Sequence, residues 1–164
     1  MINPRQLAVR AAARAWKQVR GRAQWRLLWL RHPTFMIGVT GAVFDDDGRV
    51  LLLRHRFWAG CQWGPPSGYM VRGETFEQAL ARETAEETGQ QLTDIRVRFV
   101  RSGFRLRIEA YLSARLVPSG PLRLEEAEIL EARFFEVDEL PAALRRIHRE
   151  LIEQVHAEHL SRGR

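Results

Sequence analysis

Apolar residues recur along this chain in two rhythms, one of strands and one of helices. Met36–Phe44 (MIGVTGAVF) is a nearly unbroken apolar run of strand length, and Arg49–Arg54 (RVLLLR) is a second. The turn signal Asp45–Gly48 (DDDG) lies between them, so the pair predicts a hairpin of buried strands. Two more strands are expected near Ile95–Arg101 and Phe104–Leu116. In the latter, Leu106, Ile108, Ala110 and Leu112 alternate with Arg107, Glu109 and Tyr111, which predicts one buried face. Ala132–Val137 predicts a short strand.

Helical spacing appears in three places. Pro4 to about Arg31 is rich in Ala, Arg, Leu and Gln, with Gly21 as a soft point that divides it and Pro33 as its stop. Thr75–Thr88 (TFEQALARETAEET) opens with the capping-box pair Thr75 and Gln78 and closes at Gly89. A last helix is expected to open at Asp138 or Glu139 with Pro141 and to run to about Leu160, with Leu144, Ile147, Leu151, Ile152 and Val155 at helical spacing. Between the hairpin and the middle helix, Phe57–Arg72 predicts a loop with short extended pieces. Strand pairs around one helix, then a terminal helix, imply an α/β fold with a mixed sheet and helices on both faces.

The middle helix breaks the usual pattern. At about 100° per residue, Phe76, Ala79 and Leu80 set its apolar face, and Glu83, Glu86 and Glu87 fall in the same arc. A surface helix keeps its charges opposite its apolar stripe. Three carboxylates spaced i, i+3, i+4 repel one another, the more so when partly buried. A divalent cation held by oxygen ligands relieves that repulsion, so the spacing alone points to a metal site.

Composition narrows the rest. The 164 residues, 45% apolar and 28% charged, suit one globular domain. Cys61 is the single cysteine, which excludes an intramolecular disulfide and a cysteine-rich zinc site and makes a reducing cytoplasm the expected compartment. No apolar run reaches the ~20 residues of a membrane span. Charge is unevenly placed: residues 1–34 hold eight basic side chains and no acid, +8, whereas the whole chain is +6, so the other 130 residues carry −2. Residues 1–34 are therefore expected to form a basic helical extension and residues 35–164 the main domain. Three readings of the extension are open. It packs on the domain or across a homodimer, it binds anionic membrane or nucleic acid, or it attracts polyphosphate to the site. The apolar turn Trp25–Leu30 (WRLLWL) favours the first.

Gly68–Gln90 (GYMVRGETFEQALARETAEETGQ) resembles the signature of the Nudix hydrolases: Gly, five residues, Glu, seven residues, then Arg-Glu-aliphatic-x-Glu-Glu-x-Gly-aliphatic. Gly68, Glu74, Arg82, Glu83, Glu86, Glu87 and Gly89 match at the family's spacing. Trp63–Gly68 and Phe134–Pro141 resemble the family's flanks, and the resemblance covers roughly residues 35–150. Thr84 and Gln90 stand at the two aliphatic positions, and Ser67 stands where a glycine is usual.

The resemblance implies a Nudix-type α/β/α sandwich with a mixed β-sheet. It also implies water attack on the phosphorus of a nucleoside diphosphate-linked compound or nucleoside triphosphate. Glu83, Glu86 and Glu87 are then the expected ligands of Mg²⁺, with Mn²⁺ as a substitute, and the Gly68 carbonyl adds an oxygen. Arg82 is expected to pair with a carboxylate, Glu74, and to orient the cluster. The general base is either a motif glutamate, Glu83, or a later acid among Glu125, Glu126 and Glu128, with Glu128 favoured. Glu83 and Glu86 are carried as catalytic with it.

Arg56 and Trp58 are the candidate substrate contacts, through phosphate pairing and base stacking. Arg101, Arg105 and Arg107 either face the pyrophosphate or line a solvated strand face, the latter favoured, and His148, His156 and His159 are expected in solvent. Two other functions stay open: an RNA 5′-end pyrophosphohydrolase using residues 1–34, and a non-catalytic nucleotide-sensing or nucleic-acid-binding module.

Overall fold

A computed structural model describes residues 4–19, 21–32, 34–117 and 119–162. The chain divides into two units, Met1–Phe35 and Met36–Arg164. The first unit holds α1 (Pro4–Gln18) and α2 (Arg22–Arg31), with Gly21 at φ 65° as the N-cap of α2. Neither helix contains a buried residue, and Trp25 and Trp29 are 74% and 66% exposed. Pro33 lies outside the described residues.

The second unit is a seven-stranded mixed sheet with a helix on each face. Its elements are β1 (Met36–Phe44), β2 (Val50–His55), β3 (Trp63–Gly64), β4 (Ser67–Tyr69), α3 (Phe76–Thr88), β5 (Gln91–Phe104), β6 (Arg107–Val117), β7 (Ile129–Phe135), a 3₁₀ turn (Val137–Glu139) and α4 (Arg146–Arg162). The main path runs β3-β2-β1-β6-β5, with β4 on β1 and β7 on β2. Among the described residues β1 and β6 pair in parallel and the other ladders are antiparallel.

Burial on both faces explains the apolar runs. Along β2, Leu51 and Leu53 join Val39, Leu80 and Leu112 under α3, while Val50 and Leu52 join Phe44, Leu151, Ile152 and Val155 under α4. The same covering corrects the reading of β6. From Ala110 to Ala114 every residue is buried, Tyr111 included, so the strand has two buried faces there rather than one. Leu106 stays outside the strand in a left-handed turn, at φ 57°.

The last helix also starts later than expected. The Leu144 N–H closes a turn onto the Pro141 carbonyl (2.9 Å), and Arg149 Nη2 donates to the same carbonyl at 2.9 Å. Leu140 and Leu144 are both buried in the α4-side core around that turn, so helical geometry begins only at Arg146.

Candidate active site

The acid-bearing helix is fixed at both ends. Thr75 Oγ1 accepts from the Gln78 N–H (3.2 Å), the Gln78 side chain accepts from the Thr75 N–H (2.9 Å), and Gly89 closes the helix in the left-handed region at φ 71°. Ala79, Leu80, Thr84 and Thr88 face the sheet and are buried. That registration sets the depth of the three acids. Side-chain exposure is 17% for Glu83 and 59% for Glu86, and Glu87 as a residue is 6% exposed. Glu86 lies furthest round the helix from Leu80, which explains its access to water.

The acids meet the short strand β4. The Tyr69 N–H donates to Glu83 Oε1 (3.1 Å) and the Ser67 N–H to Glu87 Oε2 (3.3 Å). Between them, Gly68 lies against the Glu83 carboxylate, where an added Cβ would overlap its carbon and both oxygens.

Arg82 ties the group together. Its Nε and Nη2 donate to the two Glu74 oxygens (2.7 and 3.1 Å), its Nη2 also to the Tyr69 carbonyl (2.8 Å), and its Nη1 to Glu83 and Glu86 (2.9 and 3.0 Å). The Arg82 hydrogen bond holds Glu74 below the usual carboxylate range. Burial is the main cause that raises Glu83, against the pull of Arg82. Burial likewise pushes Glu87 up to about 9; the Ser67 N–H works against this, and Glu83, Glu128 and Glu86 add to it. Glu128 is exposed, in the turn before β7. The Glu125 N–H in that turn donates to the Glu87 carbonyl (3.2 Å), so the turn is stitched to the end of α3.

A cation fits this donor set in one respect and meets an obstacle in another. Glu87, buried and raised by burial and by its acidic neighbours, is a hard oxygen donor with no cationic partner among the described residues. Yet among the described residues no three acid, histidine or cysteine side chains are gathered in a coordinating arrangement. Arg82 Nη1 occupies the space between Glu83 and Glu86, which accounts for it. Mg²⁺ needs only one or two protein carboxylates, since waters and substrate phosphates complete its shell, so the residues present fit such an ion.

A cavity of about 420 Å³ lies past Ser67, lined among others by Thr40, Trp58, Arg101, Arg107, Tyr111 and Arg145. Trp58 lines it, with its ring stacked on His55 at 3.9 Å. Arg56 does not line it; its Nη2 donates to the Glu126 carbonyl (3.0 Å). Arg101 is exposed and Arg107 partly so, and both line the cavity, because β5 and β6 put them beside Tyr111 on its rim. His148, expected in solvent, is 4% exposed and also lines it. The first turn of α4 carries His148 inward beside Leu151 and Ile152. Sequence reading missed Arg145 and Glu109. Arg145 precedes a helix expected to start earlier, and Glu109 fell on a strand face expected in solvent.

The two departures from the signature have different outcomes. Gln90 is buried and its amide is used in full: Nε2 donates to the Gly120 and Pro121 carbonyls (3.2 and 3.3 Å), and Oε1 accepts from Ser119 (2.9 Å). Thr84 is fully buried with no partner for its hydroxyl.

A sheet with a helix on each face thus carries a glutamate-rich helix that meets a glycine-containing strand, with a basic cavity on the other side of that strand. The model of the NUDIX domain matches residues 34–155, and the chain belongs to the Nudix family of hydrolases. It is 30% identical over 128 residues to Nucleoside diphosphate-linked moiety X motif 6 of Xenopus laevis, covering 69% of this chain and 59% of that protein. It is 31% identical over 132 residues to the NAD-capped RNA hydrolase NudC of Vibrio atlanticus, covering 76% of this chain and 46% of the relative. The chain thus spans about half the length of the curated relatives it matches. A MutT NUDIX hydrolase from Burkholderia pseudomallei superposes with a TM-score of 0.64 at 27% identity, over 75% of this chain and 99% of that one.

Proposed function

We propose that the protein is a divalent-metal-dependent pyrophosphohydrolase that cleaves a nucleoside diphosphate-linked compound or a nucleoside triphosphate by water attack on phosphorus. One observation carries the reading: two buried or half-buried glutamates of α3 receive the backbone N–H groups of β4, whose Ser67 also lines a cavity with arginines and aromatics.

In this reading Glu83, Glu86 and Glu87, with the Gly68 carbonyl, hold Mg²⁺ or Mn²⁺. The bound ion supplies neutralisation of phosphate charge and acidification of water. Arg82 is a positioning residue: its bidentate pair with Glu74 anchors it while Nη1 orients Glu83 and Glu86. Glu128 accepts the proton of the attacking water, from a turn held against the end of α3. The contacts of Arg56 with the backbone of that same turn favour a bracing role over a phosphate contact. Trp58 offers its ring to the base or the leaving moiety.

Among the described residues no helix is long and apolar enough to cross a membrane. We place the reaction in the cytoplasm, consistent with the free thiol of Cys61. The test is turnover of a nucleotide panel under Mg²⁺ and Mn²⁺ beside a Glu86→Gln control.

A second reading, removal of an RNA 5′ end, is favoured by the eight basic residues and no acid in residues 1–34. Phosphate contacts release counterions, so activity on RNA should fall steeply with salt while activity on mononucleotides should not. Activity confined to mononucleotides would remove this reading. The same segment, with its exposed tryptophans, is the surface through which a homodimer would form.

A further inference from the structure

The cavity beyond Ser67 carries more positive charge than a diphosphate held at the acids requires. Three arginines and one glutamate line it, leaving +2. Glu109 is spent locally: Arg107 donates to Oε2 through Nε (2.7 Å) and pairs through Nη2 (2.6 Å), and Thr40 Oγ1 donates to Oε1 (2.8 Å). Among the described residues neither Arg101 nor Arg145 has a carboxylate within ion-pair distance. Arg145 is instead held over the Trp58 ring, with its guanidinium carbon 4.6 Å from the centroid.

These two charges converge on polar groups that are themselves withdrawn from water. Burial raises the Tyr111 phenol, as does Glu109, and Arg101, Arg107 and Arg145 each oppose the rise, so all three act on one hydroxyl. His148 is 4% exposed and its Nδ1 has no hydrogen-bond partner.

The cavity is also distinct from the place of the acids. Alternation along β1 and β6 sends Val39 and Ala110 to the α3 side with the glutamates, and Thr40 and Tyr111 to the α4 side. Ser67 joins the two places, since its N–H holds Glu87 and the residue lines the cavity.

We propose that Arg101 and Arg145 form a subsite for a phosphomonoester that the substrate carries in addition to its scissile diphosphate. A phosphomonoester bears about −1.5 to −2 at neutral pH, which matches the uncompensated charge of the cavity. Guanidinium groups pair with it bidentately. This assignment rests on the acid cluster being the hydrolytic centre, and it narrows the substrate class to nucleotides phosphorylated at a second position.

The test is calorimetry on the full chain in EDTA, comparing adenosine 5′-monophosphate with adenosine 3′,5′-bisphosphate. Without metal there is no turnover, so the result is independent of whether the protein hydrolyses either compound. The bisphosphate is expected to bind about tenfold tighter or more. Arg145→Gln or Arg101→Gln should erase that preference while changing binding of the monophosphate by no more than about twofold. Arg145→Lys should keep part of the preference, and unchanged melting curves show that the variants fold. Equal affinity for the two nucleotides, or equal loss of both in the glutamine variants, would overturn the proposal. The second result would place the arginines on the diphosphate itself. Inorganic phosphate that binds while the bisphosphate has no advantage would also overturn it, marking a site for free phosphate.

Discussion

Gly68 lies against the carboxylate of Glu83, with no room between them for a Cβ. The Tyr69 N–H completes the contact by donating to Glu83 Oε1 at 3.1 Å. The glycine is thus required by a side chain that must approach the backbone, not by a turn. Gly68→Ala forces Glu83 aside while leaving the cores under α3 and α4 in place. A displacement of about 1 Å at a reacting centre costs on the order of 10²-fold in rate. Gly68→Ala is expected to lose at least that in kcat, with circular dichroism unchanged. Near-native kcat would show that Glu83 need not sit there.

Thr84 carries the opposite lesson. Its hydroxyl is fully buried and unpartnered at a position facing the α3-side core. Removing an unsatisfied buried polar group gains about 1 kcal/mol. Thr84→Val is expected to raise the melting temperature by roughly 3–5 °C, with kcat and KM unchanged. A lower melting temperature would reveal a partner for the hydroxyl.

Burial, aided by the charge of Arg145, lowers His148 to about 4. The sign follows directly: the unfolded chain takes up a proton near pH 6.5 that the folded chain refuses until about 4. Stability contributed by the neutral imidazole is therefore present above the unfolded pKa and is lost as pH falls across that window. His55, also lowered to about 4 chiefly by burial, acts in the same direction. The carboxylates add their own dependence, so the wild type is best compared with His148→Leu. Relative to that variant, the wild type should lose up to about 1.4 kcal/mol per pH unit below about 6.5 in urea melts. Parallel curves would mean that His148 titrates freely.

Glu128 is exposed, yet its charge reaches Glu87. As the proton acceptor, its replacement by glutamine should lower kcat by about 10² to 10⁴ with little change in KM. A variant with full kcat would return the base to Glu83.

Much of this site was legible in the sequence because it is local. The helix face follows from 3.6-residue spacing and the caps from Thr75, Gln78 and Gly89, whereas the exposure of Glu86, read in the same arc as Glu83 and Glu87, emerges only in the fold. The cavity was not legible, because it is assembled from β1, β5, β6 and the start of α4. No periodicity along β6 reveals that α4 covers Tyr111. The capture of the Pro141 carbonyl by Arg149, which delays α4, also depends on tertiary contact. Arg145 and His148 gained their places from that delayed start.

The most direct measurement is a panel assay for released phosphate, pyrophosphate or nucleoside monophosphate, with Mg²⁺, with Mn²⁺ and with EDTA. The panel spans nucleoside triphosphates, nucleotide sugars, dinucleotides with and without an additional phosphomonoester, and triphosphate-ended RNA. Turnover of one class is expected with either ion and not with EDTA, reduced by about 10³-fold or more in Glu86→Gln. Turnover that survives EDTA and the glutamine variant alike would contradict a metal-dependent centre on α3. Nucleotide binding without turnover of any member would contradict a hydrolase.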